Sequence, residues 1–177
     1  MNRILVVCTA NLVRSPFAAA ILDRATEGQW KIDSAGLAAV EGEKVPLPVL
    51  QDVRRYVVEL SKHRSRRLTM DDVRRSTVIL GMTEAHRDAL QTMLPSATPR
   101  TFTVPEFVRL AEATPRLSEF DGDLQRFVEA VHQQRPKVEA GPQPEDVADP
   151  LGESAARTRE CIDYLADLVH RLAERLT

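Results

Sequence analysis

Short apolar runs alternate with helical patterns along the first half of this chain, and this alternation limits the fold more than any other feature of the sequence. Strands are predicted at residues 3–7, 30–34, 77–80 and 100–103, and helices at residues 15–25, 46–60 and 83–94. The first run lacks polar alternation, as expected for a strand covered on both faces. Because alternating strands and helices form parallel sheets, we predict an α/β fold.

The second half of the chain is predominantly helical, apart from one segment rich in helix breakers. Leu124, Phe127 and Val131 recur at helical spacing. Residues 136–152 contain several prolines and glycines and therefore predict an extended surface loop. The apolar stripe from Cys161 to Leu176 predicts a final helix packed on the sheet. These segments together predict a single domain over residues 1–177.

The composition is that of one globular domain. A chain of 177 residues that is 43% hydrophobic can bury one core. The formal net charge of -2 gives no general attraction for nucleic acid, and the basic run at residues 63–67 is expected on a solvated face. The sequence shows neither a signal-peptide core nor a long apolar span, so we expect a cytoplasmic protein with no membrane insertion.

The two cysteines, Cys8 and Cys161, lie in very different sequence surroundings. A reducing compartment argues against a structural disulfide between them. Cys161 falls on the apolar stripe of the final helix, which favours an unreactive core residue. Cys8 follows the first strand, and after a tight loop a helix is predicted to start at Ser15 and Pro16, with Ser15 as its N-cap. This strand, loop and helix arrangement makes Cys8 the candidate for chemistry.

The loop from Cys8 to Arg14 has the length and composition to hold a tetrahedral oxyanion. Ligands of open α/β sheets bind beyond the carboxyl ends of the strands, where loop amides and a helix N-terminus converge. The five residues between Cys8 and Arg14 are few enough for their amides to turn inward, and a planar guanidinium can bind two phosphate oxygens. The predicted phosphate-binding residues are Thr9, Ala10, Asn11, Leu12, Val13, Arg14 and Ser15.

The same groups favour a reactive thiolate at Cys8. Inward amides, the helix N-terminus and Arg14 all place positive charge near the sulfur. The Ser15 hydroxyl can donate a hydrogen bond to the thiolate, and Asn11 tolerates the left-handed backbone that a tight loop needs. We therefore predict that Cys8 is a nucleophile and that Arg14 is catalytic.

These residues also carry a family resemblance. The pattern Val7-Cys8-x-x-Asn11-x-x-Arg14-Ser15-Pro16, with Asp149-Pro150 far downstream, resembles the low-molecular-weight protein tyrosine phosphatase family. Residues 34–36, 63–66 and 78–82 also fall where similar segments fall in that family. The resemblance implies a doubly wound, three-layer α/β domain around a four-stranded parallel sheet, with the phosphate-binding loop after the first strand. Residues 105–148 form a longer segment than the family minimum.

The resemblance implies hydrolysis of phosphomonoesters through a phosphocysteine intermediate, without a metal or other cofactor. Cys8 would attack phosphorus while Arg14 and the loop amides hold the equatorial oxygens. Asp149 would protonate the leaving oxygen and then activate water, although Asp146 is close enough in the sequence to compete for that role. Ser34 and His63 match family positions that support Asn11 through hydrogen bonds, a role that remains open beside an ordinary structural one.

Several residues depart from the family pattern. Val13 stands where many relatives carry a second cysteine. The related arsenate reductases need additional cysteines in a mobile segment to relay a disulfide, and this sequence has no such pair. Ala10 replaces a common glycine, Thr83 a common acidic residue, and Leu151 an aromatic residue that in many members packs against phosphotyrosine. These replacements leave open a catalytically weak relative that binds phosphate or phosphoproteins.

Two residues give different indications about the substrate. Leu12 occupies a position where an apolar residue goes with phosphotyrosine and a threonine with phosphoarginine in bacterial relatives, whereas Leu151 lacks the aromatic ring. We predict a protein tyrosine phosphatase, with a phosphoarginine phosphatase as an alternative. The expected partners are a phosphorylated protein or a small phosphomonoester, including a tyrosine kinase or its targets, and the expected state is a monomer.

Overall fold

A four-stranded parallel sheet forms the centre of the computed structural model, which describes residues 2–142 and 145–177. Pro144, which belongs to the predicted extended loop, lies outside the described residues. The strands are β1 (Arg3–Cys8), β2 (Lys31–Gly36), β3 (Val78–Gly81) and β4 (Thr101–Thr103). They lie in the order β2-β1-β3-β4, and all three pairings are parallel. The predicted α/β fold with a four-stranded parallel sheet is therefore confirmed.

Helices follow each strand and cover both faces of the sheet. They are α1 (Arg14–Ala25), α2 (Leu47–Val53), α3 (Met70–Arg75), α4 (Glu84–Met93), α5 (Val104–Glu112), α6 (Leu124–His132) and α7 (Ala155–Leu176). Short 3-10 helices occupy Arg54–Tyr56, Pro95–Arg100 and Leu117–Phe120. Within the described parts of the chain, no helix combines the length and the apolar character needed to span a bilayer.

The central strand β1 sends its side chains alternately into two cores, as the strand geometry requires. Ile4 and Val6 pack in the larger core, which α1, α5, α6 and α7 complete. Leu5 and Val7 pack in the smaller core, with Val73 of α3 and Leu90 of α4 among the residues that line it. The sheet is thus enclosed between two helical layers, as predicted for a doubly wound, three-layer domain.

Two helical predictions are corrected by the structure. The helix predicted at residues 46–60 ends at Val53, because the following 3-10 turn leads to a left-handed Val57, whose φ is 56° and whose surface is 73% exposed. The short helix α3 was not predicted, since six residues are too few to show a helical period. Thr69 and Asp72 close its N-terminus in a capping box.

The start of α1 also differs from the prediction, and the difference is important for the site. The helix begins at Arg14, and its N-cap residue is Val13, which provides no side-chain cap. Ser15 is therefore inside the first turn rather than at the N-cap. Its hydroxyl group is left available for contacts with Cys8 and Asn11.

The long segment after α6 returns the chain to the carboxyl edge of the sheet. The Val147 amide donates a 2.7 Å hydrogen bond to the Met82 carbonyl oxygen, immediately beyond the end of β3. The Val147 side chain is only 1% exposed, so this part of the predicted surface loop is anchored in the core. The anchor places Asp149 at the same edge as Cys8.

Candidate active site

Cys8 ends β1 at the carboxyl edge of the sheet and is almost fully buried, with 2% of its surface exposed. The Asn11 amide donates a hydrogen bond to Cys8 Sγ over 3.2 Å, and the Ser15 hydroxyl oxygen lies 2.9 Å from the same sulfur. A thiolate can accept hydrogen bonds from both groups. The arrangement therefore suits a charged sulfur better than a buried apolar side chain.

Asn11 holds the loop in a strained shape and satisfies several polar groups at once. Its φ is 57°, the left-handed conformation that asparagine tolerates better than most residues, and it is fully buried. Its side-chain amide donates to the hydroxyl oxygens of Ser15 and Ser34, each over 2.9 Å. Its side-chain oxygen accepts from the Arg66 amide over 3.0 Å. Ala10, by contrast, does not have a positive φ, so its methyl group adds no strain of that kind.

The structure brings both predicted supporting residues to Asn11. Ser34 of β2 contacts the side chain of Asn11, and His63 Nε2 lies 2.9 Å from the backbone oxygen of Asn11. Because a carbonyl oxygen only accepts, His63 Nε2 must carry a proton in this contact. Burial lowers the pKa of His63, which favours the neutral ring.

Gly36 at the end of β2 allows the loop to approach the neighbouring strand closely. A β-carbon at this position would lie 2.5 Å from the Thr9 carbonyl oxygen and 3.0 Å from the Asn11 amide. Such contacts are too short for any side chain, so only glycine fits. Gly36 therefore belongs to the structural support of the loop, although it was noted in the sequence only as part of a family-like segment.

Arg14 links the loop to the segment that carries Asp149. Its side chain is 3% exposed, and it donates hydrogen bonds to the Val147 carbonyl oxygen over 2.9 Å and to Asp149 Oδ2 over 2.5 Å. The Asp149 side chain is 42% exposed and faces the loop. The guanidinium is thus held between the acid and the loop, where an oxyanion bound above Cys8 can reach it.

Asp146 has a different structural task from Asp149. Its carboxylate accepts a 2.7 Å hydrogen bond from the Glu84 amide at the start of α4. It therefore anchors the acid segment to the helix, whereas Asp149 faces Arg14. Of the two carboxylates that the sequence left open, the geometry favours Asp149 as the proton donor.

Apolar side chains form the mouth of the cleft above Cys8. The cleft is lined by Cys8, Ala10, Leu12, Val13, Arg14, Asp149 and Leu151. Leu12 is 8% exposed and Leu151 is 44% exposed, so the wall formed by Leu12 is buried and the wall formed by Leu151 is accessible from solvent. Asp149 is the only carboxylate among these lining residues.

His86 is a residue of the site that was missed in the sequence. It belongs to the first turn of α4, yet its Nε2 lies 2.9 Å from Thr9 Oγ1 in the phosphate-binding loop. Burial, followed by the positive charge of Arg14, lowers the pKa of His86 to about 4. The available signal was its position shortly after a buried strand, because the carboxyl ends of parallel strands share one edge.

Cys161 does not have the surroundings of a reactive thiol. It is 8% exposed on α7, and its sulfur lies 3.6 Å from the Ala148 carbonyl oxygen. Burial raises the pKa of Cys161 to about 12, which favours the neutral thiol. Among the described residues, no group of three or more His, Cys, Asp or Glu side chains is placed to hold a metal ion.

Comparisons with known proteins agree with this geometry. Residues 3–119 match the family model described as low molecular weight phosphotyrosine protein phosphatase. A protein-arginine-phosphatase of Geobacillus stearothermophilus is 32% identical over 174 residues, which cover 98% of this chain and 95% of the relative. The probable low molecular weight protein-tyrosine-phosphatase EpsP of Ralstonia nicotianae is 30% identical over 143 residues, which cover 79% of this chain and 98% of the relative.

A solved structure resembles the whole fold. The YwlE arginine phosphatase from Geobacillus stearothermophilus aligns with a TM-score of 0.75 at 30% sequence identity. The alignment covers 99% of this chain and 93% of that protein.

Proposed function

The chain belongs to the low molecular weight phosphotyrosine protein phosphatase family, whose members are cysteine-dependent phosphatases, and we propose that it dephosphorylates proteins with Cys8 as its nucleophile. The observation that carries this proposal is the convergence of Cys8, Arg14 and Asp149 at one edge of the sheet. The sulfur is hydrogen-bonded by the loop, and the acid is held by the loop arginine.

In the first proposed step, the Cys8 thiolate attacks phosphorus and the bond to the leaving oxygen breaks. The proton of Asp149 passes to that oxygen, so the leaving group departs as a neutral alcohol. Before substrate binds, Arg14 donates to Asp149. A bound phosphate dianion competes for this guanidinium, so that the Asp149 carboxyl group becomes available to the leaving oxygen.

In the second proposed step, water attacks the phosphorus of the phosphocysteine. Asp149 takes the proton of the water, the bond between sulfur and phosphorus breaks, and inorganic phosphate is released. Cys8 leaves as a thiolate. The Ser15 hydroxyl at 2.9 Å and the Asn11 amide at 3.2 Å support this leaving group through hydrogen bonds.

We propose phosphotyrosine as the preferred side chain. A phosphorylated aromatic ring presents an apolar surface, and Leu12 and Leu151 provide an apolar mouth for it. A single leucine on the exposed wall covers less of a ring than an aromatic residue would, so we expect modest affinity for small aryl phosphates. The exposed wall leaves space for the main chain of a protein substrate.

A second candidate is the hydrolysis of phosphoarginine. It is favoured by the length of the similarity to the Geobacillus protein-arginine-phosphatase, which extends over 98% of this chain, whereas the similarity to EpsP extends over 79%. The two candidates use the same Cys8 chemistry and differ only in the group that leaves. Assays with different substrates can therefore distinguish the two candidates, whereas substitutions of the catalytic residues cannot.

The proposed setting follows from the same chemistry. A thiol nucleophile stays free in a reducing compartment, which supports a cytoplasmic location. We propose that the protein acts there as a monomer on phosphorylated proteins, including a tyrosine kinase or its targets. The family membership supports an enzyme over a protein that only binds phosphate. Two of the departures from the family pattern also fit an active enzyme, because Ala10 causes no backbone strain and Thr83 serves as the N-cap of α4.

Hydrolysis of para-nitrophenyl phosphate in the presence of a metal chelator tests the function. We expect turnover by the wild-type protein between about pH 5 and 7, where catalytic carboxyl groups and thiolates commonly operate, and none by Cys8→Ser. Phosphotyrosine and phosphoarginine forms of one peptide, assayed side by side, then separate the two candidates. Lack of turnover by a folded wild-type protein, or turnover that survives Cys8→Ser, would contradict the proposal.

A further inference from the structure

His86 connects the phosphate-binding loop to the turn before α4, and it lies 77 positions from its partner Thr9 in the sequence. Its Nε2 is 2.9 Å from Thr9 Oγ1, and its Nδ1 is 2.7 Å from Thr83 Oγ1. The residue is only 6% exposed, so these two hydroxyl groups replace most of the water around the ring. One side of the ring therefore contacts the phosphate-binding loop and the other side contacts the N-terminus of α4.

We propose that His86 is a positioning residue for catalysis, which fixes the phosphate-binding loop through Thr9. The inference rests on the proposed phosphatase function. Thr9 directly follows the nucleophile, and its carbonyl oxygen accepts a 3.0 Å hydrogen bond from the Ala38 amide. With His86 on its side chain, Thr9 is held from two directions, and the peptide groups that follow it keep their orientation towards the phosphate site.

The turn that carries His86 also holds the acid segment. The Met82 carbonyl oxygen accepts from the Val147 amide over 2.7 Å, and the Glu84 amide donates to Asp146 over 2.7 Å. Residues 82–86, the β3–α4 turn, therefore contact the nucleophile loop and the acid segment at the same time. A change in the contact between His86 and Thr9 shifts Cys8 relative to Asp149.

The surroundings of the ring support a fixed, neutral imidazole. A β-carbon on Gly81 would lie 3.1 Å from the His86 β-carbon, so the glycine allows close packing here. The charged groups that act on the ring are Arg14, Asp149 and Asp146, and burial with Arg14 outweighs the two carboxylates in lowering its pKa. A neutral imidazole donates at one nitrogen and accepts at the other, which matches two hydroxyl partners.

Two substitutions separate the two contacts of the ring. In His86→Gln the terminal amide reaches about as far as Nε2, so a contact with Thr9 is retained. In His86→Asn the amide reaches only about as far as Nδ1, so the contact with Thr83 is retained and that with Thr9 is lost. Because a misplacement of about 1 Å can cost on the order of 100-fold in rate, we expect His86→Asn to lower kcat at least about 10-fold. His86→Gln should stay within about 3-fold of the wild type, and KM should change little in either variant.

The experiment measures kcat and KM for para-nitrophenyl phosphate, together with thermal unfolding, for both variants and for Thr9→Val. His170→Asn, on the exposed face of α7, is the matched histidine control. Thr9→Val removes the same contact from the other side, so it should lower kcat by a similar factor even where a His86 variant folds poorly. The double variant Thr9→Val/His86→Asn should be no slower than His86→Asn alone, because both changes remove one contact.

Binding of orthovanadate provides a readout that does not need turnover. A well-positioned loop favours the transition state, so His86→Asn should weaken vanadate binding about as much as it lowers kcat. An inactive wild type that still binds vanadate would contradict the proposed function. The ratio of the vanadate affinities of the wild type and His86→Asn would then decide the inference about His86. Three results would overturn the proposed role of His86. They are equal kcat and vanadate affinity in the wild type and His86→Asn, equal losses in His86→Asn and His86→Gln, or multiplicative losses in the double variant. A wild type that neither turns over nor binds vanadate would overturn both.

Discussion

Arg14 of the phosphate-binding loop donates a 2.5 Å hydrogen bond to Asp149, which lies 135 positions further along the chain. The same guanidinium donates to the Val147 carbonyl oxygen over 2.9 Å. The segment that carries Asp149 is therefore held over Cys8, the proposed nucleophile, before any substrate arrives. This preorganisation reduces the movement needed when phosphate binds. Substitutions of the residues that hold the loop and the acid segment should therefore have distinct effects.

Asp149→Asn should lower kcat by about 100-fold or more for phosphotyrosine peptides, because proton transfer to a leaving oxygen contributes on the order of 10²–10⁴. The loss should be smaller for para-nitrophenyl phosphate, since para-nitrophenol is more acidic and leaves more easily without a proton. Parallel kinetics with the two substrates measure this difference. Asp146→Asn, which keeps an oxygen for the Glu84 amide, should change kcat less than about 3-fold. An equal loss in the two variants would contradict the assignment of the acid.

Asn11→Ala should reduce the free energy of unfolding by about 3 kcal/mol, because it removes three side-chain hydrogen bonds and places alanine in a left-handed conformation. Denaturant unfolding measures the change. Asn11→Gly keeps the backbone conformation without strain and should lose about 1 kcal/mol less. If both variants are as stable as the wild type, the loop does not depend on these contacts.

Gly36→Ala should disturb the phosphate-binding loop, because its methyl group would lie 2.5 Å from the Thr9 carbonyl oxygen. We expect kcat/KM to fall about 10-fold and the free energy of unfolding to fall by about 2 kcal/mol, as for other overpacked sites. Gly141→Ala is the control, since nothing lies within 4 Å of a β-carbon there. Wild-type kinetics in Gly36→Ala would show that the loop and β2 do not need to approach so closely.

Stability should fall as the pH is lowered from about 7 to 4.5, and His86 should account for much of the loss. Its pKa is about 4 in the folded protein and 6.5 ordinarily, so protons bind to the unfolded chain first and favour unfolding in that interval. Between pH 7 and pH 4.5 this linkage lowers the free energy of unfolding by about 2 kcal/mol. Denaturant unfolding at several pH values should give a flatter curve for His86→Gln, which has no group to titrate. Identical pH curves would contradict a buried, neutral His86.

The shape of the loop from Cys8 to Arg14 can be predicted from the sequence because the residues that build it are local, whereas the role of Cys8 as nucleophile stays a prediction. Cys8, Asn11, Arg14 and Ser15 lie within one short stretch between a strand and a helix, and the left-handed Asn11 follows from the tight turn. The parallel sheet is predicted because predicted strands alternate with predicted helices, and because β1 and β3 are continuous apolar runs.

The remaining parts of the site depend on contacts between distant segments. His86 and the Val147 carbonyl oxygen reach the loop from 77 and 133 positions away, and no local pattern encodes those contacts. The helix predicted at residues 46–60 is too long for a different reason, because Val57 adopts an exposed left-handed conformation that ends the helical path. Ser15 shows the converse case, since a residue suited to an N-cap is used for the sulfur.

Direct detection of the phosphorylated enzyme tests the proposed mechanism most clearly. The wild-type protein and Asp149→Ala are mixed with para-nitrophenyl phosphate, quenched rapidly in acid, digested and analysed by mass spectrometry. We predict one added phosphoryl group on the peptide that contains Cys8, and no such peptide from Cys8→Ala, which has no nucleophile at this position. Turnover by the wild type with unmodified Cys8 at every quench time, or a phosphoryl group on another residue, would contradict the mechanism.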